Sequence, residues 1–228
     1  MERSERLTQA AAVLVLFAAA ILNASVATAA PQSKPHDTTE AIKNKAPAST
    51  ERPAQHANSI SVTICLVAAL AYLELHVSCT GLMSGDVRSL DWLITCPLLL
   101  IEMGLLLGAR ATDGVVLLAA GSSALMVITG WDAHTSSASF CYGVFFFAIT
   151  ALCMYNLWRR SRSTRTREGA VRLAAAAFAL WPLYGIVAAS VLLCGSSQAM
   201  ANIGYNVLDI GSKGFLGLSI ALLVLSEQ

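Results

Sequence analysis

Long apolar stretches alternate with short polar ones along the whole chain. Seven apolar runs occupy residues 7–30, 60–80, 87–109, 115–130, 140–158, 173–193 and 199–225. Crossing a hydrocarbon core of about 30 Å takes roughly 20 apolar residues in an α-helix. A helix also satisfies its own backbone polar groups, as a spanning element must. The pattern therefore predicts one all-α domain over residues 1–228, a seven-transmembrane helix bundle. The first run has a second reading. Two arginines, an apolar core and Ala-Thr-Ala-Ala before Pro31 also fit a secretory signal peptide, whose removal would leave six helices. Seven helices favour the retained span.

Between the runs, residues 31–58 are polar and proline-rich and read as a disordered cytoplasmic loop. Residues 110–114 make a tight connection, and residues 159–167 form an arginine-rich loop. No internal repeat is evident. The loops after the first, third and fifth runs carry four, one and six Lys/Arg, and the alternate loops almost none. The positive-inside rule then places the N-terminus outside and the C-terminus in the cytoplasm. The protein is expected in the cell membrane as a multi-pass chain.

Composition sharpens this class. The chain is 56% hydrophobic and 13% charged, where a soluble domain carries about 25% charged residues. Mean hydropathy is +0.62. The net charge of +1 offers no global signature for nucleic acid, and the arginine run reads as a solvated loop. The six cysteines show no C-x-x-C spacing and read mostly as small buried hydrophobes; a Cys79–Cys194 bridge is an open alternative. No metal site is expected.

Charges inside the runs carry the chemistry. Glu74, His76, Arg88, Asp91, Glu102, Asp209 and Lys213 lie within them. A charge on an intramembrane helix costs roughly 2.5–3.5 kcal/mol on insertion scales and usually faces the bundle interior. At ~100° per residue, Arg88, Asp91, Thr95 and Glu102 share one stripe about 60° wide. Asp209 and Lys213 are four apart and share a helix face. Lys213 stands among Gly211, Gly214 and Gly217, so its surroundings are uncrowded. Such charges can simply be ion pairs that fix helix packing.

Arg-x-x-Asp-Trp-Leu-x-Thr-x-Pro-Leu-Leu from Arg88, with a late Asp-x-x-x-Lys at 209–213, closely resembles the microbial (type I) rhodopsins. The resemblance implies a retinal-binding membrane photoreceptor, not an enzyme. Lys213 would bind all-trans retinal as a Schiff base, since an amine in an apolar pocket condenses with an aldehyde. Asp91 and Asp209 would be counterions, with Asp91 accepting the proton. With Arg88 and the cationic Lys213 adduct these charges sum to zero, which suits a low-dielectric core. Trp92, Cys96, Leu99, Phe147, Phe178, Trp181, Pro182 and Tyr184 would wall the retinal. The family usually has Trp at Phe178, Tyr or Phe at Trp181, and often Trp at Gly185, so one wall departs from the pattern.

Asp91, Thr95 and Glu102 match the acceptor, threonine and donor of proteorhodopsin-like outward proton pumps. Glu102 is about 16 Å along the helix from Asp91. An apolar setting favours its neutral acid, which then has a proton to give. Ser61 could hold that acid by a hydrogen bond. Glu102 could also be a bystander at the interface. Thr-Cys-Pro at Cys96 resembles channelrhodopsins instead, although their fourth-span aspartate is missing at Gly121, Ser122 and Ser123. Arg88, Thr95, Glu74 and His76 are candidate proton-path residues, and Glu74 and His76 could line a channel or form a release group. Val191 and Ala201 stand near the places of the release glutamates of bacteriorhodopsin. The leading expectation is a light-driven outward proton pump; a light-gated channel and a sensor signalling through the basic loop are the alternatives. Expected partners are the bilayer, protons or other small ions, and further copies in a homo-oligomer. Leu99, by resemblance to proteorhodopsins, implies green absorption.

Overall fold

The computed structural model describes residues 2–29, 53–77, 84–131, 136–162 and 168–226. Among these residues there are seven helices and no strand: α1 Glu2–Ala29, α2 Pro53–Val77, α3 Ser84–Leu106, α4 Gly114–Gly130, α5 Ser137–Ser161, α6 Glu168–Cys194 and α7 Gln198–Leu225. Six are long and apolar enough to cross a membrane, and α4 is a shorter apolar helix of 17 residues. Of the polar stretch 31–58, residues 31–52 lie outside the described residues, and α2 begins at Pro53. Proline suits a first helical turn, where its missing N–H has no partner to lose.

The ends of the helices follow local chemistry. Asp113 caps α4 by accepting from the Val115 amide at 2.8 Å. Ser136 and Ser197 cap α5 and α7 through their side-chain oxygens. A polar oxygen at that position satisfies an amide with no partner in the first turn. Gly108, at φ 82°, ends α3 in the left-handed conformation glycine tolerates best.

The helices close a ring in chain order, each packing on the next and α7 returning to α1 and α2. Buried Ala12, Leu16, Ala19 and Ala20 of α1 meet Cys65, Ala68, Ala69 and Tyr72 of α2. A second apolar core joins α3, α4, α5, α6 and α7 around Leu100, Met103, Val116, Cys153, Ala177 and Ile220. Burial is uneven. The apolar windows of α3 and α7 are 56% and 50% buried, those of α5 and α6 only 17% and 11%.

Within α7, Ile210–Phe215 forms a turn of π-helix around Lys213. Such a turn holds one extra residue and is frequent at functional sites. A Cβ on Gly214 would stand 2.8 Å from Val15 Cγ1, so α1 can approach α7 here only because the residue is glycine. Cys194 is exposed at the end of α6, and Cys79 lies outside the described residues.

Candidate functional site

Lys213 is 2% exposed, deep in the bundle. Its Nζ donates to Asp91 Oδ2 at 2.5 Å and lies 3.4 Å from Asp209 Oδ1. The two carboxylates differ in their other partners. Asp209 accepts from Tyr72 at 2.7 Å, Tyr184 at 2.6 Å and Trp92 Nε1 at 3.2 Å. Asp91 Oδ1, though buried, has no hydrogen-bond partner among the described residues. Thr95 donates to the backbone carbonyl of Asp91 at 2.9 Å, so its one hydroxyl hydrogen is used within α3.

Arg88 joins the carboxylates through an intermediary. Its NH1 donates to the Tyr72 hydroxyl at 3.1 Å, and that hydroxyl donates to Asp209. Its NH2 donates to Asn206 Oδ1 at 3.0 Å. The guanidinium also lies 5.7, 5.9 and 5.4 Å from the ring centres of Tyr72, Trp92 and Tyr205. Ring faces attract a cation within about 6 Å, so Arg88 is held by aromatic faces as well as by hydrogen bonds.

From Arg88 the polar contacts run on to α1. Asn206 Nδ2 donates to Thr8 Oγ1 at 2.8 Å, and Asn202 Nδ2 donates to Glu5 Oε1 at 2.8 Å. Asn202, Asn206, Asp209 and Lys213 recur on one face of α7, which aims this series into the bundle. Tyr72, Tyr205, Asn202, Asn206, Thr8 and Glu5 are polar groups of this network that the charge pattern alone did not select. The recurrence of Asn202 and Asn206 ahead of Asp209 was a usable signal for two of them.

Glu102 sits apart, 1% exposed, and accepts from the Ser61 hydroxyl of α2. The buried α3 side chains between Asp91 and Glu102 are Thr95, Leu99 and Leu100. Glu74 is half-buried and His76 exposed near the end of α2. Neither lines the central cavity, and His76 faces Arg3 and Arg6 across a shallow surface groove.

That cavity, about 380 Å³, opens from Lys213 between α3, α4, α5, α6 and α7. Trp92, Cys96, Leu99, Phe147, Trp181, Pro182 and Tyr184 line it. Phe178 does not; it packs behind Trp181 with ring centres 6.4 Å apart. Gly185 lines the wall and a Cβ there would meet nothing within 4 Å, so this side is roomy. The volume falls among small-molecule pockets of about 300–1,000 Å³. Met126, Val127, Gly130, Gly143 and Val144 complete the far end. With an amine at one end and an apolar, aromatic sleeve beyond it, the cavity suits a long apolar aldehyde.

A family model described as bacteriorhodopsin-like protein matches residues 43–226. Archaerhodopsin-3 of Halorubrum sodomense is 26% identical over 200 residues, 74% of this chain and 76% of that protein. The solved proton-pumping rhodopsin AR2 of the alga Acetabularia acetabulum superposes with a TM-score of 0.76 at 20% identity, covering 99% of this chain and 97% of that one. The viral rhodopsin OLPVRII superposes with a TM-score of 0.72 at 20% identity, covering 98% and 99%.

Proposed function

The chain belongs to the bacteriorhodopsin-like family, and from that premise we propose that it is a light-driven outward proton pump with all-trans retinal on Lys213. Membership makes it a microbial rhodopsin, a multi-pass membrane protein with a retinal chromophore. Retinal, held by Lys213 in the cavity, would supply light absorption and a light-driven change of shape beside the proton held at the Lys213 nitrogen.

Asp91 receives that proton. Its Oδ2 is already in contact with Nζ, and its unpartnered Oδ1 leaves room for a change of protonation. Asp209 is the standing counterion, because three donors already occupy its oxygens. Arg88, Asn206, Thr8, Asn202 and Glu5 supply the way out along α1, with Glu5 at its mouth. Outward transport follows if the N-terminus of α1 lies outside, as loop charge predicts.

The observation that carries the reading is Glu102, a fully buried carboxyl group hydrogen-bonded to Ser61 at the other end of the bundle. A buried acid away from the counterions is a proton store that can refill the site from the opposite side. A channel would need a polar lane here, and along α3 the buried side chains between Thr95 and Glu102 are Leu99 and Leu100. Cys96 also has no hydrogen bond to α4 among the described residues: Ser122 pairs with Thr150 and Ser123 bonds the Ala120 carbonyl.

Photocurrent measured at several voltages tests the proposal. A pump passes outward current at zero driving force. A current that vanishes there and reverses sign with voltage would make the protein a channel.

A further inference from the structure

At the Glu102 end, two asparagines face each other across α1 and α2. Asn23 and Asn58 are both 0% exposed. The Asn58 Nδ2 donates to the backbone carbonyl of Asn23 at 2.8 Å, and the Asn23 Nδ2 donates to the Ala19 carbonyl at 2.7 Å. One N–H of each amide is thus accounted for. Their acceptors are not: neither Asn23 Oδ1 nor Asn58 Oδ1 has a hydrogen-bond partner among the described residues. A buried carbonyl oxygen is costly to leave unpaired, and ordered water is its usual remedy in a protein interior.

These amides belong to a larger polar cluster. On α2, Asn58, Ser61 and Cys65 share one face. On α7, Gly217 opens a cup against them. A Cβ at Gly217 would lie 3.1 Å from Cys65 Sγ, 3.2 Å from Asn23 Nδ2 and 3.8 Å from Ser61 Cβ. Ser61 in turn donates to Glu102, and Cys65 Sγ donates to the Lys213 carbonyl at 3.5 Å. Polar groups of α1, α2, α3 and α7 therefore converge on one buried spot beside the carboxyl group, in a region otherwise packed with alanine, leucine and valine.

We infer that Asn23 and Asn58 hold water molecules between α1, α2 and α7, and that protons reach Glu102 through this water. The inference rests on the reading of Glu102 as the proton store. When Glu102 has given up its proton it is a carboxylate. A water of the cluster then passes a proton to it: an O–H bond breaks at the water, one forms at a Glu102 oxygen, and the water is made whole by a proton from the bulk. The asparagines are positioning residues. They change no charge themselves but fix the water that does the transfer. This entry lies between the first two helices and the last, away from the central cavity.

The test uses the full chain with retinal in vesicles and follows recovery of the dark colour after a flash. Asn23→Leu and Asn58→Leu should leave the dark absorption and the first light-driven proton movement unchanged and slow recovery about tenfold, the worth of one hydrogen bond. Asn58→Ser, which keeps a polar group, should regain much of the rate. Azide, a small diffusible weak acid, should restore speed in the leucine variants, which a merely distorted fold would not allow. If both leucine variants recover at the wild-type rate while Glu102→Gln is slow, the water relay is wrong and the store stands. If Glu102→Gln is also fast, the reading of Glu102 itself falls. Should a leucine variant not fold, Gly217→Ala crowds the same spot through Asn23 and Cys65, and an unchanged recovery there overturns the relay.

Discussion

Between Lys213 and the N-terminal turns of α1, polar side chains follow one another: Tyr72, Arg88, Asn206, Thr8, Asn202 and Glu5 are linked or adjacent through hydrogen bonds of 2.7–3.1 Å. Along α3 between Asp91 and Glu102 the buried side chains beyond Thr95 are Leu99 and Leu100. The first half is joined by side-chain hydrogen bonds; the second holds one buried carboxyl group that, along α3, is separated from Thr95 by leucines. A bundle that conducted equally at both ends would let protons run back down their gradient. In the proposed pump, the wired half would be the exit and the half around Glu102 the barrier to back-flow.

The largest effect should come from cutting both halves loose from the chromophore. Lys213→Ala removes the nitrogen common to both and should abolish visible absorption after retinal is added; persistent colour would break the assignment of the site. Next, Asp91→Asn cuts the wired half at its first link. It should shift absorption to the red and eliminate light-driven acidification outside vesicles, read with a pH electrode; continued acidification would move the acceptor to Asp209. Glu102→Gln empties the store in the other half. Dark absorption should be unchanged, whereas colour recovery after a flash should slow by about tenfold or more and become dependent on bulk pH.

A smaller effect is expected further along the wired half. Asn206→Leu strips one acceptor from a buried guanidinium, and a hydrogen bond to a charged group is worth about 1.5–3 kcal/mol. The variant should bleach at lower temperature and deliver its proton to the outside more slowly, and an unchanged bleaching midpoint would show that the aromatic rings alone hold Arg88. The smallest change is one of colour. Leu99 is 3% exposed and lines the cavity. Leu99→Gln should shift a green absorption to the blue with transport retained, which absorption spectroscopy reads directly.

The parts legible in the sequence are those with a high cost of misplacement. Lys213, Asp91, Asp209 and Arg88 stood out because a charge in an apolar run demands a partner. Tyr72, Asn206 and Thr8 did not, because an uncharged polar side chain in a helix costs little and names no partner. Tyr184 was expected as part of the wall, and it both lines the cavity and donates to Asp209. Gly217 stood out only as a neighbour of Lys213, whereas the structure makes it a cup for Asn23 and Cys65. The π turn at Ile210–Phe215 explains part of this. An extra residue in a turn shifts which side chains share a face, so a fixed 100° step does not carry across it. The helices themselves were legible from the seven apolar runs, since the bilayer fixes their length.

One of those lengths departs from the rest. At 1.5 Å per residue, the 17 residues of α4 measure about 25 Å against a hydrocarbon core of about 30 Å. Both ends carry polar contacts. Asp113 lies at one, 4.0 Å from Arg160, and Trp131 at the other donates to Asp86 at 3.0 Å. Thinning of the lipid around α4 would accommodate a shortfall of this size. In bilayers of shorter acyl chains this mismatch shrinks, so the bundle should bleach at a higher temperature there than in thick bilayers, and a series of lipids of graded length would report it.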